Sequence, residues 1–384
     1  MRRAARRPRS LAALWLGLSL ASLATHAGAQ TLVEEPAPAV DAVASEDQDA
    51  REDASENAAP LLSAPAAREP VETSRFRDTT LAAPPPVGDE ADPDADLAYG
   101  AFQRGYYLTA FHRATQRLER DPDDAAAMTL LGELYSQGLG VPQDVARAAD
   151  WYRLAARQGD PNALFALAMI AIEGQGDGAG GREAVEADRR EGRALLERAA
   201  EAGHSRAAYN LALILLGSAE QADIARAAEL MRTAAQADVA PAQHALGVLH
   251  AQGRGVEEDP IAATAWFARA ARNGDVAGMV EYAVALFNGD GIAPDEARAA
   301  HWFREAAFRG NAVAQNRLAR LHVSGRGVEE DPVEAAAWHL AAAAQGLDDP
   351  WLDEALERLG EAERADALAL AQERLSAPAA PATP

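Results

Sequence analysis

Reactive chemistry needs nucleophiles, acid and base pairs or metal ligands at recognisable spacings, and this chain is poor in all of them. It contains no cysteine, which removes disulfide frameworks, thiolate zinc sites and cysteine nucleophiles. It also contains no lysine, so Ser-x-x-Lys acyl transfer, a phosphate-loop lysine and Schiff-base chemistry are unavailable. Its eight histidines include no His-Glu-x-x-His pattern and no pair three to five residues apart on one helix, the arrangement a local metal pair requires. Neither a metal site nor a cofactor is expected. Carboxylates abound, notably Glu257-Glu258-Asp259 and Glu329-Glu330-Asp331. They recur at one place in a repeating pattern, as solvated turns and helix caps do. The Gly-x-Gly turns before them follow no strand and precede no lysine, so they are not phosphate loops. These residue types exclude most catalysis and leave a binding surface.

The elements behind these residues repeat. Trp266, Trp302 and Trp338 stand 36 residues apart, a period that indicates stacked supersecondary units. Within the copy from Ala240 to Asp275, Ala245, Leu246, Leu249 and His250 form one helical stripe. Ala263, Trp266, Phe267, Ala270 and Ala271 form a second. Between them, Gly253 and Gly255 permit the turn that ends the first helix, and Asp259-Pro260 is suited to start the second. The small Gly247, Ala270 and Ala271 allow close axes, and Trp266 is expected to fill the remaining gap. Trp151, Trp266, Trp302 and Trp338 are thus the structural anchors of their repeats. An Ala-Ala pair recurs at 155/156, 199/200, 234/235, 270/271, 306/307 and 342/343. A turn aspartate precedes each pair, at 144, 188, 223, 259, 295 and 331.

The pattern Leu-Gly-x-x-[Tyr/His], Gly-x-Gly-Val, Asp, Ala-x-x-Trp-[Phe/Tyr]-x-x-Ala-Ala, Gly resembles the Sel1-like repeat, a relative of the tetratricopeptide repeat. The fold class expected is all-α, a right-handed α-solenoid of helix-turn-helix repeats with helical caps and disordered ends. Six copies cover 122–348. Leu195 and Leu230 replace Trp in the second and third copies. The second has a lengthened Gly-rich turn between Gly174 and Arg190, and the third a shortened one between Gly217 and Asp223. Residues 96–121 read as a tetratricopeptide-like N-terminal cap of two helices broken at Gly105. Residues 349–375 read as a C-terminal cap with Leu352, Leu356, Leu359, Leu368 and Leu370 inward, and 376–384 as a disordered tail.

The N-terminus carries a different signal. Five arginines precede an apolar run from Leu11 to Ala24, followed by Ala27-Gly-Ala29. That is the form of a secretory signal peptide over 1–29. Residues 30–95, rich in Ala, Pro, Glu, Asp and Ser, read as a disordered acidic linker. The product is expected to be periplasmic or secreted, without an integral membrane segment after cleavage. A net charge of −23 opposes nucleic acid as a partner.

In tetratricopeptide proteins the first helices line the concave side, so the resemblance implies a partner-binding groove built from them. It would present Phe165, Met169 and Ile172, Tyr209 and Leu213, and Val280, Val284 and Phe287 as an apolar floor. Glu133, His244, Asn316 and Arg320, with Thr129, Gln137 and Gln252, would supply polar contacts. The expected function is a non-catalytic exported scaffold or regulator that binds a protein partner in the envelope. Exported family members inhibit envelope sensor kinases or assist polysaccharide assembly. Cysteine-rich members bind β-lactams, which keeps a cell-wall or β-lactam-binding enzyme as the alternative, and a plain structural spacer is the third. If 1–29 is a cleaved signal, N-terminal sequencing of the exported protein reads Gln30 first; Met1 in that fraction contradicts it.

Overall fold

The computed structural model describes residues 97–172 and 181–376, without side chains for 181–187. The expected signal peptide, the acidic linker, the Gly-rich run 173–180 and the tail beyond Ser376 lie outside these residues. Sixteen α-helices and no strand occur among the described residues. α1 (Leu97–Gln103) and α2 (Tyr107–Arg120) come first. Six hairpins follow: α3 (Ala125–Gln137) with α4 (Val145–Arg157), α5 (Pro161–Ile172) with α6 (Gly181–Glu201), and α7 (Ser205–Leu216) with α8 (Gln221–Gln236). The last three are α9 (Ala240–Gln252) with α10 (Pro260–Arg272), α11 (Val276–Asn288) with α12 (Glu296–Phe308), and α13 (Ala312–Ser324) with α14 (Pro332–Ala343). α15 (Pro350–Glu357) and α16 (Glu361–Ser376) close the array.

From α1 to α15 each helix packs on the next one in sequence, as a solenoid requires, and α16 packs back on α14. First helices also touch the following first helix, at α3–α5, α9–α11 and α13–α15. Within the six repeats no second helix makes comparable contact with the second helix of the next, although α14 packs closely on α16 of the cap. The first helices are therefore the tighter, inner row. Numbering positions from the first residue of each repeat's first helix, position 8 is Gly132, Ala168, Ala212, Gly247, Ala283 or Ala319. A Cβ on Gly132 would lie 2.5 Å from the Tyr152 ring, and one on Gly247 2.6 Å from Phe267. The glycines admit an aromatic ring directly onto the helix backbone.

That geometry corrects the expected anchors. The residue after the Trp register, not the Trp itself, is the wedge: Tyr152, Leu196, Met231, Phe267, Phe303 and His339 are all buried. Trp151, Trp266 and Trp302 are only half-buried, and Trp338 alone is fully covered. One residue turns the side chain by about 100° around a helix, so two adjacent aromatics cannot point into one gap. Trp302 instead meets Tyr282 edge-on at 5.7 Å, and Trp266 carries Arg269 over its face. Trp338 is covered because Phe308 meets its edge and the Arg374 guanidinium lies 3.8 Å from its centroid. Arg374 also pairs with Glu334 at 2.7 Å, which ties α16 to α14.

The turns follow from their chemistry. Gly138, Gly253, Gly289 and Gly325 end their helices in the left-handed conformation. Asp144, Asp259, Asp295 and Asp331 cap the following helices through backbone N–H groups. Asp188 and Asp223 do not act as the expected turn caps. α6 already begins at Gly181, and α8 begins at Gln221 behind Glu220. At the C-terminus Leu352 and Leu359 are buried, but Leu368 is 49% exposed and Ala367 and Ala371 take the inward face of α16.

The second glycine of each turn sets the spacing between repeats. Gly327 has φ +70°, and a Cβ there would stand 2.1 Å from the Glu296 carbonyl oxygen; Gly310 has φ +82° with open space around it. Gly310→Ala should cost about 1 kcal/mol through backbone strain alone. Gly327→Ala should cost about 3 kcal/mol, since it adds overpacking to the same strain. Urea denaturation followed by circular dichroism measures both; equal losses would show that the turn does not set the stacking distance.

Candidate functional site

The inner helix row is read most simply by register. Position 5 carries Thr129, Phe165, Tyr209, His244, Val280 and Asn316. These residues face the start of the next repeat's first helix. Thr129 Oγ1 donates to Asp160 Oδ1 at 3.0 Å, while Asp160 caps α5 by accepting from Ala163 N. Phe165 stacks on His204 with centroids 4.4 Å apart, and His204 Nδ1 accepts from Ala207 N at the start of α7. Asn316 Nδ2 donates to Asp349 Oδ2 at 2.7 Å, and Asp349 caps α15. In the first, second and sixth repeats position 5 thus links the inner helix to the next cap.

Several residues expected on the groove surface are consequently inside it. His244 is 7% exposed, Val280 4% and Asn316 6%. A partner resting on the inner face cannot reach them, because adjacent first helices close over position 5. His244 lies against Phe267, with centroids 5.9 Å apart. Burial pushes its imidazole below the usual range, and Asp275 pulls the other way. Burial raises the Asp275 carboxyl, with His244 and the Gly278 N–H opposing.

Position 9 carries Glu133, Met169, Leu213, Val248, Val284 and Arg320. Of these only Val248 is fully buried. Glu133, Met169, Leu213 and Val284 stay half-exposed, as do Tyr209, Phe165, Ile172 and Phe287 at neighbouring registers. This is the part of the expected floor that remains open. Glu133 accepts from Gln137 Nε2 at 2.8 Å. Arg326 covers the Phe287 ring, its guanidinium 4.2 Å from the centroid. Arg320 is committed to Asp349, with Nε at 2.7 Å from Oδ2 and Nη2 at 2.9 Å from Oδ1. Burial opposes ionisation of Asp349, but Arg320 and Asn316 outweigh it and hold the carboxyl below its usual range.

Position 6 was not singled out from sequence, yet it holds the two most exceptional side chains of the row. Its residues are Leu130, Ala166, Asn210, Ala245, Glu281 and Arg317. Asn210 Nδ2 reaches back to Met169 Sδ at 3.5 Å, so position 6 faces the preceding inner helix. Glu281 is 9% exposed and Arg317 8%. Among the described residues neither forms an ion pair, and Arg317 Nη1 is fully covered with no hydrogen-bond partner. Burial alone pushes the Glu281 carboxyl up to about 7. Burial lowers Arg317 to about 10, aided by Arg320 and opposed by Asp349. The sequence signal for these residues is a charge where other copies carry Leu or Ala.

No group of three or more His, Asp or Glu side chains suited to a metal ion occurs among the described residues. No described helix is long and apolar enough to cross a membrane. A cleft of about 540 Å³ opens beside Leu195, where the second repeat lacks its Trp, between Ala149, Arg153, Arg157, Leu167 and Arg198. Asp188 and Glu191 also line it, among the arginines.

The family model described as Sel1 repeat matches residues 125–160, 161–204, 205–239, 240–275, 276–311 and 312–347. A solved Sel1 repeat protein from Oxalobacter formigenes is similar at 27% identity over 64% of this chain and 94% of its own, with a TM-score of 0.52. A protective antigen of uropathogenic Escherichia coli strains, displaying an SLR fold, is also 27% identical, with a TM-score of 0.48. That match covers 71% of this chain but only 65% of the antigen's length. No curated protein matches the chain.

Glu281 makes stability depend on pH in a definite sense. Its carboxyl is raised to about 7 in the fold against about 4.3 unfolded, so the folded state binds more protons between these values. Stability is greatest below about pH 4 from this group and falls as pH rises to about 7. Glu281→Gln should remove that fall and stabilise the protein at pH 8 by up to about 3 kcal/mol. Urea titrations of both proteins at pH 5 and pH 8 measure it; an unchanged pH difference in the variant refutes the assignment.

Proposed function

Since the chain belongs to the Sel1 repeat family, whose model matches six consecutive segments over 125–347, we propose that it is a non-catalytic scaffold or regulator. Its inner helix row holds a segment of a protein partner in the cell envelope. The observation that carries this reading is position 9. A solenoid needs large apolar residues where helices pack, but Met169, Leu213 and Val284 are half-exposed on the row that first helices share. Keeping such side chains partly wet in three of the six repeats has a use when another chain covers them. The residue inventory is in keeping with it, because the sequence has no Cys or Lys nucleophile.

Export fits the basic and apolar segment over 1–29, and the envelope is the compartment where the partner is sought. The partner belongs to envelope signalling or to polysaccharide export. With a net charge of −23, the protein approaches cationic surfaces fastest, and salt slows that approach.

Two substitutions separate a docking surface from a core. Leu213→Arg and Val284→Arg together should leave helix content intact and the midpoint of thermal unfolding within a few degrees. They should weaken capture of the crosslinked envelope partner by about tenfold or more, as loss of central contacts does. Unfolding of the variant would show that position 9 is core. A folded variant that captures the same partner equally well would end the groove reading, and covalent labelling by a fluorescent penicillin would favour the β-lactam alternative.

A further inference from the structure

The second repeat leaves uncovered a core position that every other repeat closes. Position 7 of the first helix is Leu131, Leu167, Leu211, Leu246, Tyr282 or Leu318. All are buried except Leu167, which lies half-open in the cleft of about 540 Å³ beside Leu195. Two truncations open that cleft. Leu195 stands in the Trp register, and Ala171 at position 11 stands where the other first helices carry Tyr135, Leu215, His250, Leu286 or His322. The floor, Leu167, Ile170 and Ala171 of α5, is thus a core surface without a ring over it.

The other repeats show what a ring in that place meets. Trp266 carries Arg269, three residues further along its own helix, with the guanidinium 5.5 Å from the centroid. Arg198 stands three residues after Leu195. Trp338 meets Phe308 of the preceding second helix edge-on at 5.1 Å. Arg157 holds the register of Phe308, one residue past the Ala-Ala pair. Both arginines line the cleft, with Arg153. Arg198 Nη2 donates to the Ala156 carbonyl at 3.3 Å, and Arg153 is shared with Asp150 in an exposed pair. Arg157 forms no hydrogen bond or ion pair among the described residues. The carboxylates of the cleft, Asp188 and Glu191, precede Arg198 on α6 by at least seven residues, about 10 Å along the axis. One end of the cleft is therefore basic and the other acidic.

We propose that this cleft docks an aromatic side chain of a protein partner, on a segment that carries a carboxylate beside the ring. The ring covers Leu167 and Ile170 as Trp covers the equivalent surface elsewhere, with an arginine over its face. The carboxylate meets the basic end, where Arg157 is free to pair with it. The volume lies within the roughly 300–1,000 Å³ of clefts that bury small ligands, so an indole and its neighbouring residue fit. The walls run from Ala149 to Arg157 and from Asp188 to Arg198, roughly 12 Å or more of helix. That length takes about four residues of extended chain, which favours a peptide segment over a lone ring. At about 100° per residue, Leu167, Ile170 and Ala171 point away from Phe165, Met169 and Ile172. The site lies across α5 from the inner row and does not rest on the groove reading.

The test uses the full chain and the peptide Ac-Ala-Asp-Trp-Asp-Ala-NH2, with one counterpart that has Ala for Trp and another that has Asn for both Asp. Nuclear magnetic resonance titrations at low salt give relative affinities, and the methyl signals of Leu167, Ile170 and Leu195 should move on binding. The Ala counterpart should bind more than about tenfold more weakly, as loss of an anchoring aromatic does. The Asn counterpart should bind about threefold more weakly, the size of a partly exposed ion pair. Leu195→Trp fills the cleft from within; it should raise the thermal midpoint by a few degrees and abolish peptide binding. Arg157→Gln with Arg198→Gln, both at exposed positions, should bind the Asp and Asn peptides alike, and this variant decides the matter if Leu195→Trp does not fold. Binding of no peptide, equal binding of the Trp and Ala peptides, or undiminished binding by folded Leu195→Trp overturns the proposal. N-acetyltryptophan binding as tightly as the peptide also overturns it, since a free aromatic acid would then suffice. The Leu213→Arg and Val284→Arg protein should bind the Trp peptide undiminished whatever becomes of its envelope partner; loss of binding there places the peptide on the inner row and sinks the cleft alone.

Discussion

The structure depends on the contact between position 8 of each first helix and the residue that follows the Trp register in its partner helix. With Gly or Ala on one side and Tyr152, Leu196, Met231, Phe267, Phe303 or His339 on the other, the two axes approach closely and a single large side chain closes the gap. Where position 8 is Gly132 or Gly247, the ring lies so near that a methyl group could not enter. Each hairpin formed in this way still leaves one face uncovered, so the next hairpin must stack on it. The stack then inherits its spacing from the turns, because the second turn glycine sits on the backbone at the start of the preceding second helix.

Stacking at that distance determines what the inner row can offer. Position 5 is closed at Thr129, His244, Val280 and Asn316, and in three repeats it links to the next cap: Thr129 to Asp160, Phe165 to His204, Asn316 to Asp349. Position 9 lies one turn further along and escapes closure, leaving Met169, Leu213 and Val284 partly open. Position 6 is closed in the first, fifth and sixth repeats, at Leu130, Glu281 and Arg317, and the last two form no ion pair among the described residues.

The ends show the same logic with different parts. At the C-terminus the last repeat is covered by α15 and α16. Arg374 lies on the Trp338 ring and pairs with Glu334, and Asp349 gathers Asn316 and Arg320 while capping α15. At the N-terminus α1 and α2 supply aromatic cover instead. Phe111 meets Tyr135 of the first repeat edge-on at 6.0 Å, and Phe102 and Tyr107 pack against the cluster that contains Leu131 and Leu134. Asp124, bonded by Arg117 at 2.7 Å, fixes the angle between α2 and the first repeat.

What the sequence determined by itself is the repeating unit. A period, two helical stripes and a Gly-x-Gly turn are local features, each forced by neighbours a few residues away, so they survive without knowledge of the third dimension. The choice between Trp266 and Phe267 as wedge was not local, since both fit an apolar stripe and only the placement of the partner helix decides which faces Gly247. Asp188 and Asp223 misled for a related reason: a matching residue at the right distance from the Ala-Ala pair caps nothing when the helix begins earlier. The groove was legible as a row of first helices but not position by position. His244, Val280 and Asn316 share the helical spacing of open residues, and only the distance to the next first helix buries them. That distance is set by contacts between repeats, which no single repeat's sequence contains.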